Sequence, residues 1–293
     1  MRFSIPNGTV AELMVVPDGE PSFSLGLSTN YSWSFTSGVG IGNKPGHAHR
    51  FYDQVSAVLL QSESQRLLPV GTKVRFSMDA AAVPITIDLV DVFNVPAPFP
   101  KPAGFVSVMD HGADPTGVGD SWQAFTSALA LANSTGSGGG WIPPGSFKCN
   151  RTITTPSNMI IRGSGPFTST IYKNGFRGPN ALNVTVADLG LDLQRSKRGG
   201  PAGFDGSFGG GSLFQNLRIA HTGICLGYIV GNDVLGTAVG SPHNDIHWVG
   251  VTGHNSYAGG IVHRPVHKPP SLAHFFQSCS SVFSIVGSLE CGC

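Results

Sequence analysis

Residues 106–172 read VSVMDHGADPTGVGDSWQAFTSALALANSTGSGGGWIPPGSFKCNRTITTPSNMIIRGSGPFTSTIY, and this stretch decides the fold. Trp122, Phe125, Leu129 and Ala132 recur at helical spacing and set one apolar stripe along a single face, which predicts an amphipathic helix. Asp120 or Ser121 stands at the N-cap position, where a side-chain oxygen can accept a backbone N–H that the first helical turn leaves unpaired. A glycine-rich loop over Ser134 to Gly140 follows, then WIPPGSF, RTITT and NMIIRGSG, three short β segments with turn signals between them. No two-residue Asn-Gly type turn joins these segments, so they suit stacked coils better than hairpins. A leading strand, a helix and then short strands is the order of a capped β-solenoid.

Working outward, composition narrows the class. Charged residues make up 12% of the 293, whereas Gly numbers 40 and Pro 21, which argues for turn-rich β structure over helix bundles. Hydrophobic residues reach 40% and the formal net charge is +1, so apolar surface is available to offset chain entropy. Near-neutrality removes the electrostatic case for nucleic acid or an anionic membrane and makes a neutral polymer the better ligand. No apolar run is long enough to span a bilayer, and Met1 is not followed by a basic region and an apolar run of the signal-peptide kind. Asn7, Asn30, Asn133, Asn150 and Asn183 each begin an Asn-x-Ser/Thr sequon, which points to an extracellular location for the full gene product. The five cysteines are too few and too uneven for a disulfide framework, and their odd count leaves a free thiol or an intermolecular bond.

Upstream of the solenoid, residues 1–95 alternate in AELMVV, FSLGLS, YSWSF, VSAVLL, TKVRFSMD and ITIDLVDV, separated by Gly, Pro and Asp turns. This is the pattern of a β-sandwich. The proline-dense stretch at 96–105 predicts a stiff extended linker, because proline fixes φ and removes a donor. The β-helix is expected over 106–250 and an irregular tail over 251–293, where HRPVHKPPSLAHFFQSCSSVFSIVGSLECGC shows neither helical nor strand periodicity. Within the helix region, Ala181 to Gly211 turns glycine-rich and carries the basic cluster Arg195, Lys197 and Arg198. With no strand-to-helix context around these glycines, a solvated loop between coils fits them better than a phosphate cradle.

Two stretches resemble the α-1,3-glucanases, also called mycodextranases or mutanases. In the first unit LGLSTNYSWSF, HAHRFYDQVSAVLL, LPVGTKVRF and ITIDLVDVFNV are similar to the carbohydrate-binding-type sandwich placed ahead of that catalytic domain. In the second, GFVSVMDHGADPTGVGDSWQAF, GGWIPPGSFKC and IIRGSGPFTSTIY are similar to the start of its pectate-lyase-like, right-handed parallel β-helix, a start that pectinases and other β-helix proteins share. FGGGSLFQNLRIAHTGICLGY is similar to a later coil of the family. The resemblance implies an all-β chain: an N-terminal sandwich, then an incomplete right-handed parallel β-helix with an N-terminal capping helix. It also implies hydrolysis of α-1,3-glucan by a pair of aspartates, one donating a proton to the leaving oxygen and one activating water or attacking. In the family these lie near Asp-Gly and Asp-Asp-Gly motifs on later coils. Here no Asp-Asp pair occurs, and Ile224, Cys225, Leu226 and Gly227 stand where an Asp-Gly is expected, which implies a truncated member lacking part of the catalytic coils.

Asp233 and Asp245 are the acids in the late coils and so the catalytic candidates. Asp110 and Asp114, in MDHGADPTG, read as turn residues accepting local backbone N–H groups. Asp188, Asp192 and Asp205 have no visible partner in the sequence. For sugar binding the candidates are Tyr31, Trp33 and Tyr52, whose aromatic faces offer apolar area without demanding a hydrogen bond, and His221, which matches a histidine of the family motif. Tyr31, Trp33 and Phe35 share one strand face, as core residues also would. No metal site is expected in the solenoid: His263 and His267 have a ligand spacing, but Cys291 and Cys293 are too close and three prolines intervene in the set with His274 and Cys279. Asp53, Asp88 and Asp91 offer oxygen ligands for a structural calcium in the sandwich. The expected function is thus hydrolysis of α-glucan by a monomer. The alternatives are a non-catalytic polysaccharide-binding chain, a truncated gene model whose tail after Gly231 is translated intron or frameshift, and a pectin-active β-helix hydrolase or lyase.

Overall fold

Alternation of side chains along each strand decides what the first unit buries. The computed structural model describes residues 2–6, 9–19, 22–28, 53–54, 71–78, 83–90, 95–194, 202–223, 227–230, 246–256, 261–264, 282–284 and 288–290. The chain falls into two units, Met1–Val95 and Pro96–Cys293. The first contains β1 (Arg2–Ser4), β2 (Val10–Pro17), β3 (Phe23–Ser28), β4 (Asp53–Gln54), β5 (Val74–Ser77) and β6 (Thr86–Leu89). Antiparallel pairing gives two three-stranded sheets, in the orders β4-β1-β6 and β3-β2-β5. In β2, Leu13 and Val15 point inward while Val10 and Met14 are exposed, and Leu13 meets Phe3, Ile5 and Leu27 in one small core. The segments YSWSF and VSAVLL, on which the expected sandwich depends, lie outside the described residues, as do Tyr31, Trp33 and Tyr52.

The second unit begins with β7 (Phe105–Ser107), a 3-10 turn at Val108–His111, β8 (Thr116–Asp120), helix α1 (Trp122–Thr135), β9 (Gly139–Ile142), β10 (Gly145–Lys148), β11 (Ile153–Thr154) and β12 (Ile160–Gly163). It continues with β13 (Ser169–Tyr172), β14 (Phe176–Ala181), β15 (Thr185–Asp192), β16 (Phe204–Phe208), β17 (Ser212–Thr222), β18 (Gly227–Val230) and β19 (Ile246–Ser256). The last strands are β20 (Ile261–Arg264), β21 (Val282–Ser284) and β22 (Ser288–Glu290).

Parallel pairing arranges these strands in three sheets. The first stacks β7, β9 and β12 on the leading halves of β15, β17 and β19. The second stacks β8, β10 and β13 on the trailing halves of β15, β17 and β19. The third runs β11, β14, β16, β18 and β20. Parallel strands of one sheet are joined by right-handed crossovers, and each coil visits all three sheets, so the unit is a right-handed parallel β-helix. The long strands serve two sheets by bending at Asp188 (φ 58°), Asn216 (φ 49°) and Gly250 (φ 61°), which lie in register on successive coils. The left-handed backbone of that corner is open to Gly and, among L-residues, most readily to Asn and Asp.

Inside, side chains stack in columns. Ile161, Val186, Phe214 and Trp248 form one, and Phe147, Ile171, Leu191 and Ile219 another, all essentially inaccessible to solvent. In the third sheet Phe176 lies flat on Phe204 at 5.7 Å, and Phe204 approaches Phe214 at 4.5 Å. Phe214 in turn stacks on Trp248 at 4.3 Å. Trp248 also explains Gly227, because a Cβ there would come within 2.6 Å of its ring. At the other end α1 buries Ala124, Phe125, Ala128, Leu129 and Ala132 against Val108 and closes the first coil. Of the two capping candidates Asp120 makes the bond, its Oδ1 accepting the Trp122 N–H at 3.1 Å. The Ser121 hydroxyl instead accepts the Asp114 N–H at 2.9 Å.

Three expectations change. The glycine-rich region from Ala181 to Gly211 is not one solvated loop: it contains β15 and β16, and Phe204 and Phe208 of β16 are wholly buried. Two of its glycines are fixed by close backbone approach, Gly190 to Pro166 O and Gly206 to Gly178 O, each 2.8 Å from where a Cβ would stand, and in sequence such glycines hide the strand signal. The segment 251–293, expected to be irregular, carries the end of β19 together with β20, β21 and β22, the last two antiparallel to β19. Pairing with a neighbour supplies backbone hydrogen bonds there without an amphipathic pattern. The proline-rich stretch lies against the β-helix, with the Phe99 N–H donating to Ser164 O at 2.7 Å and the Arg162 guanidinium 5.5 Å from the Phe99 ring.

Asp114 fulfils the turn reading. Its carboxylate accepts from the Thr116 hydroxyl at 2.6 Å, the Gly119 N–H at 2.5 Å and the Thr116 N–H at 2.9 Å, which holds it down at about 2. A carboxyl depressed from 3.8 to about 2 on folding contributes stability above its ordinary value and loses that contribution as pH falls toward the folded one. Asp114→Asn should therefore lower stability at neutral pH and flatten this part of the acid transition, as followed by circular dichroism. Phe214→Ala should destabilise the β-helix by about 3–5 kcal/mol, read from urea denaturation, because it empties the centre of the aromatic column.

Candidate functional site on the outer face of the second sheet

Side chains that point outward from successive coils fall in rows about 4.8 Å apart. On the second sheet, register puts Asp120, Lys148, Tyr172, Asp192 and Ala220 in one such row. The neighbouring row holds Thr170, Gly190, Arg218 and Thr252. Between them these rows collect the polar groups of the face.

Asp192 stands at the centre. Its Oδ1 lies 2.9 Å from His221 Nδ1 and accepts the Gln194 N–H at 3.0 Å. The carboxylate and the imidazole are both half-buried, with 22% and 31% of their side chains exposed. His221 is presented by a left-handed backbone (φ 51°) just beyond the trailing half of β17 that pairs with β15. On the coil before Asp192, Tyr172 Oη donates to Ser146 Oγ at 3.2 Å. Arg218 sits 5.6 Å from the Phe167 ring, in a notch opened by Gly190. A Cβ at Gly190 would come within 2.8 Å of Pro166 O, so the turn that carries Phe167 could not lean onto the sheet with any other residue there. Burial draws the Arg218 guanidinium below its usual range, and the nearby Asp192 and Tyr172 partly offset that.

The other carboxylates have structural duties. Asp188 is buried at the corner, where Arg162 Nε donates to Oδ2 at 2.6 Å and Asn216 Nδ2 to Oδ1 at 2.7 Å. Asp205 lies on the third sheet, in register between Arg177 and Tyr228. Asp120 loses to burial but gains more from the Asn150 and Trp122 N–H groups, the Asn150 side chain and Lys148, and ends below its ordinary value. Asp120 and Asp192 are three coils apart, roughly 14 Å at the strand spacing. Paired glycosidase carboxylates sit about 5–9.5 Å apart. Among the described residues, the two carboxylates of this row are therefore too far apart to act as an acid–base pair.

Of the sequence candidates, His221 is the one the structure describes, and it is set on Asp192. Asp233, Asp245, Tyr31, Trp33 and Tyr52 lie outside the described residues, as do Asp91 and the side chains of Asp53 and Asp88. Among the described residues no three His, Cys, Asp or Glu side chains are grouped to hold a metal. Sequence reasoning missed Tyr172 and Arg218 and left Asp192 without a partner. A signal existed in Thr170-Ile171-Tyr172, Gly190-Leu191-Asp192 and Arg218-Ile219-Ala220, three out-in-out triplets. Because the coils between them differ in length, no fixed repeat reveals that they stack.

Comparison with known proteins now bears on this geometry. Residues 1–95 match the family model described as the α-1,3-glucanase catalytic domain D1. The catalytic unit of a thermostable GH87 α-1,3-glucanase from Streptomyces thermodiastaticus strain HF3-3 is 29% identical, with a TM-score of 0.58 over 79% of this chain and 41% of that one. Both comparisons liken this chain to the α-1,3-glucanases, the family model over its first unit and the solved catalytic unit over most of its length. Two further solved GH87 catalytic domains share its fold, one in complex with nigerose (22% identity, TM-score 0.61, 89% of this chain and 46% of that one) and one with tetrasaccharides (21%, 0.55, 89% and 44%). The chain thus spans less than half the length of these family members. No curated protein matches it.

Cys149 follows β10 directly and is wholly buried, so burial first and Asp120 second push its thiol up to about 12. In the folded protein Cys149 should resist iodoacetamide near neutral pH and label only in denaturant, as read by peptide mass mapping.

Proposed function

We propose that this chain is part of a secreted, monomeric glycoside hydrolase acting on α-1,3-glucan, with the polymer running across the coils on the outer face of the second sheet. The likeness to α-1,3-glucanases supports the substrate, and the observation that carries the location is the pair Tyr172 and Asp192 in one row, with His221 set on Asp192 and Arg218 alongside. The set places an aromatic ring, a hydroxyl-accepting carboxylate, an imidazole and a guanidinium along a run of coils, which is the equipment for holding a chain of neutral sugars. The five sequons support the extracellular location.

Hydrolysis by this route needs a proton donor for the leaving oxygen and a carboxylate that activates water or attacks. Asp192 is the carboxylate already on the face, and Asp233 and Asp245 remain the candidates for its counterpart. A second reading, polysaccharide binding without cleavage, is favoured by the separation of Asp120 and Asp192 on the described face, three coils from each other. The two part on one experiment. Purified protein is incubated with insoluble α-1,3-glucan, and both retained protein and new reducing ends are measured. Retention with release supports the hydrolase, retention alone supports the binding reading, and neither overturns the assignment to glucan.

A further inference from the structure

Both hydrogen bonds that the Asp192 carboxylate accepts among the described residues fall on Oδ1, from His221 and from the Gln194 N–H. Oδ2 has no partner among those residues, although the side chain is only 22% exposed. An acceptor oxygen held in place by its twin and left unsatisfied in a half-buried setting is a ready site for a ligand's O–H, and bonds to an ionised acceptor are the strong ones. Asp188, by contrast, has both oxygens occupied by Arg162 and Asn216, so the asymmetry belongs to Asp192 and not to carboxylates of this helix in general.

Among the described residues, the basic side chains around it are already engaged. His221 is on Asp192, Lys148 Nζ donates to Val118 O on the preceding coil, and Arg218 rests against Phe167 with Asp192 near. An acidic sugar entering here would meet the Asp192 carboxylate with, among the described residues, no spare positive charge to receive its own. An uncharged sugar would meet an acceptor for its hydroxyls and, on either side, ring surface from Tyr172 and Phe167.

We propose that the outer face of the second sheet carries a subsite for one uncharged sugar unit, in which Asp192 Oδ2 accepts its hydroxyl hydrogens between Tyr172 and the Arg218–Phe167 pair, and that the subsite excludes uronic acids. It rests on the glucan-binding reading above, and it adds the atom that holds the sugar and the charge class that is refused.

The test measures retention of the full chain on insoluble α-1,3-glucan and on a second neutral polysaccharide, with soluble polygalacturonate as competitor. Asp192→Asn keeps an oxygen for His221 and Gln194 but turns the open position into a donor, and it should weaken retention about tenfold, the scale of one charge-assisted hydrogen bond. Phe167→Leu should weaken it severalfold by removing a flanking ring while keeping an apolar side chain. Arg177→Ala, on the third sheet, should bind as the unaltered protein does, and circular dichroism confirms that each variant is folded. Polygalacturonate should not compete. The subsite is overturned if folded Asp192→Asn and Phe167→Leu both bind at full strength, if polygalacturonate displaces the glucan, or if the unaltered chain holds neither neutral polymer. Should it hold the second polymer through Asp192 but not α-1,3-glucan, the subsite stands and the glucan assignment falls.

Discussion

The second unit depends on one constraint: each coil must place its inward side chains directly over those of the coil before it. Phe176 over Phe204 on the third sheet and Phe214 over Trp248 on the first show what that stacking achieves, with ring separations of 5.7 and 4.3 Å. A parallel coil has no hairpin partner to fix its register. The inward column does so instead, because a slip of one residue would turn every apolar side chain outward. The outer rows, including the one that holds Tyr172 and Asp192, inherit their alignment from this packing.

Corners solve a second problem. To turn from one sheet to the next without leaving the ladder, a strand must pass through a left-handed residue, and Asp188, Asn216 and Gly250 do so in register. The polar side chains there are then spent on one another and on Arg162, which joins adjacent coils along the outside of the corner. This explains why an acidic residue in a β-helix is weak evidence for chemistry. Asp188 and Asp192 belong to one strand four residues apart, yet one closes a corner and the other keeps an open oxygen on a polar face.

Much of the architecture was legible. The helical spacing of Trp122, Phe125, Leu129 and Ala132, with the Asp-Ser pair ahead of it, marked the capping helix because those signals are local. The short segments at WIPPGSF and NMIIRGSG marked parallel strands because no tight turn could pair them. The stretch around Phe204 and Phe208 was illegible for a physical reason: a glycine such as Gly206 is there because the backbone of the preceding coil comes too close for a Cβ, and in sequence such glycines read as a loop. The tail was missed because β21 and β22 borrow their order from β19.

The same division applies to the candidate site. Sequence by itself determined the fold class, the capping helix and His221 as a residue of interest, since each rests on local period, on composition or on a contiguous motif. Only the tertiary structure decided that His221 meets Asp192, that Arg218 reaches Phe167 across Gly190, and that Tyr172 lies one coil below. Those residues are brought together by winding, and the length of a coil is set by how many residues its turns need to bring the next inward side chain over the last. No spacing along the chain records that number.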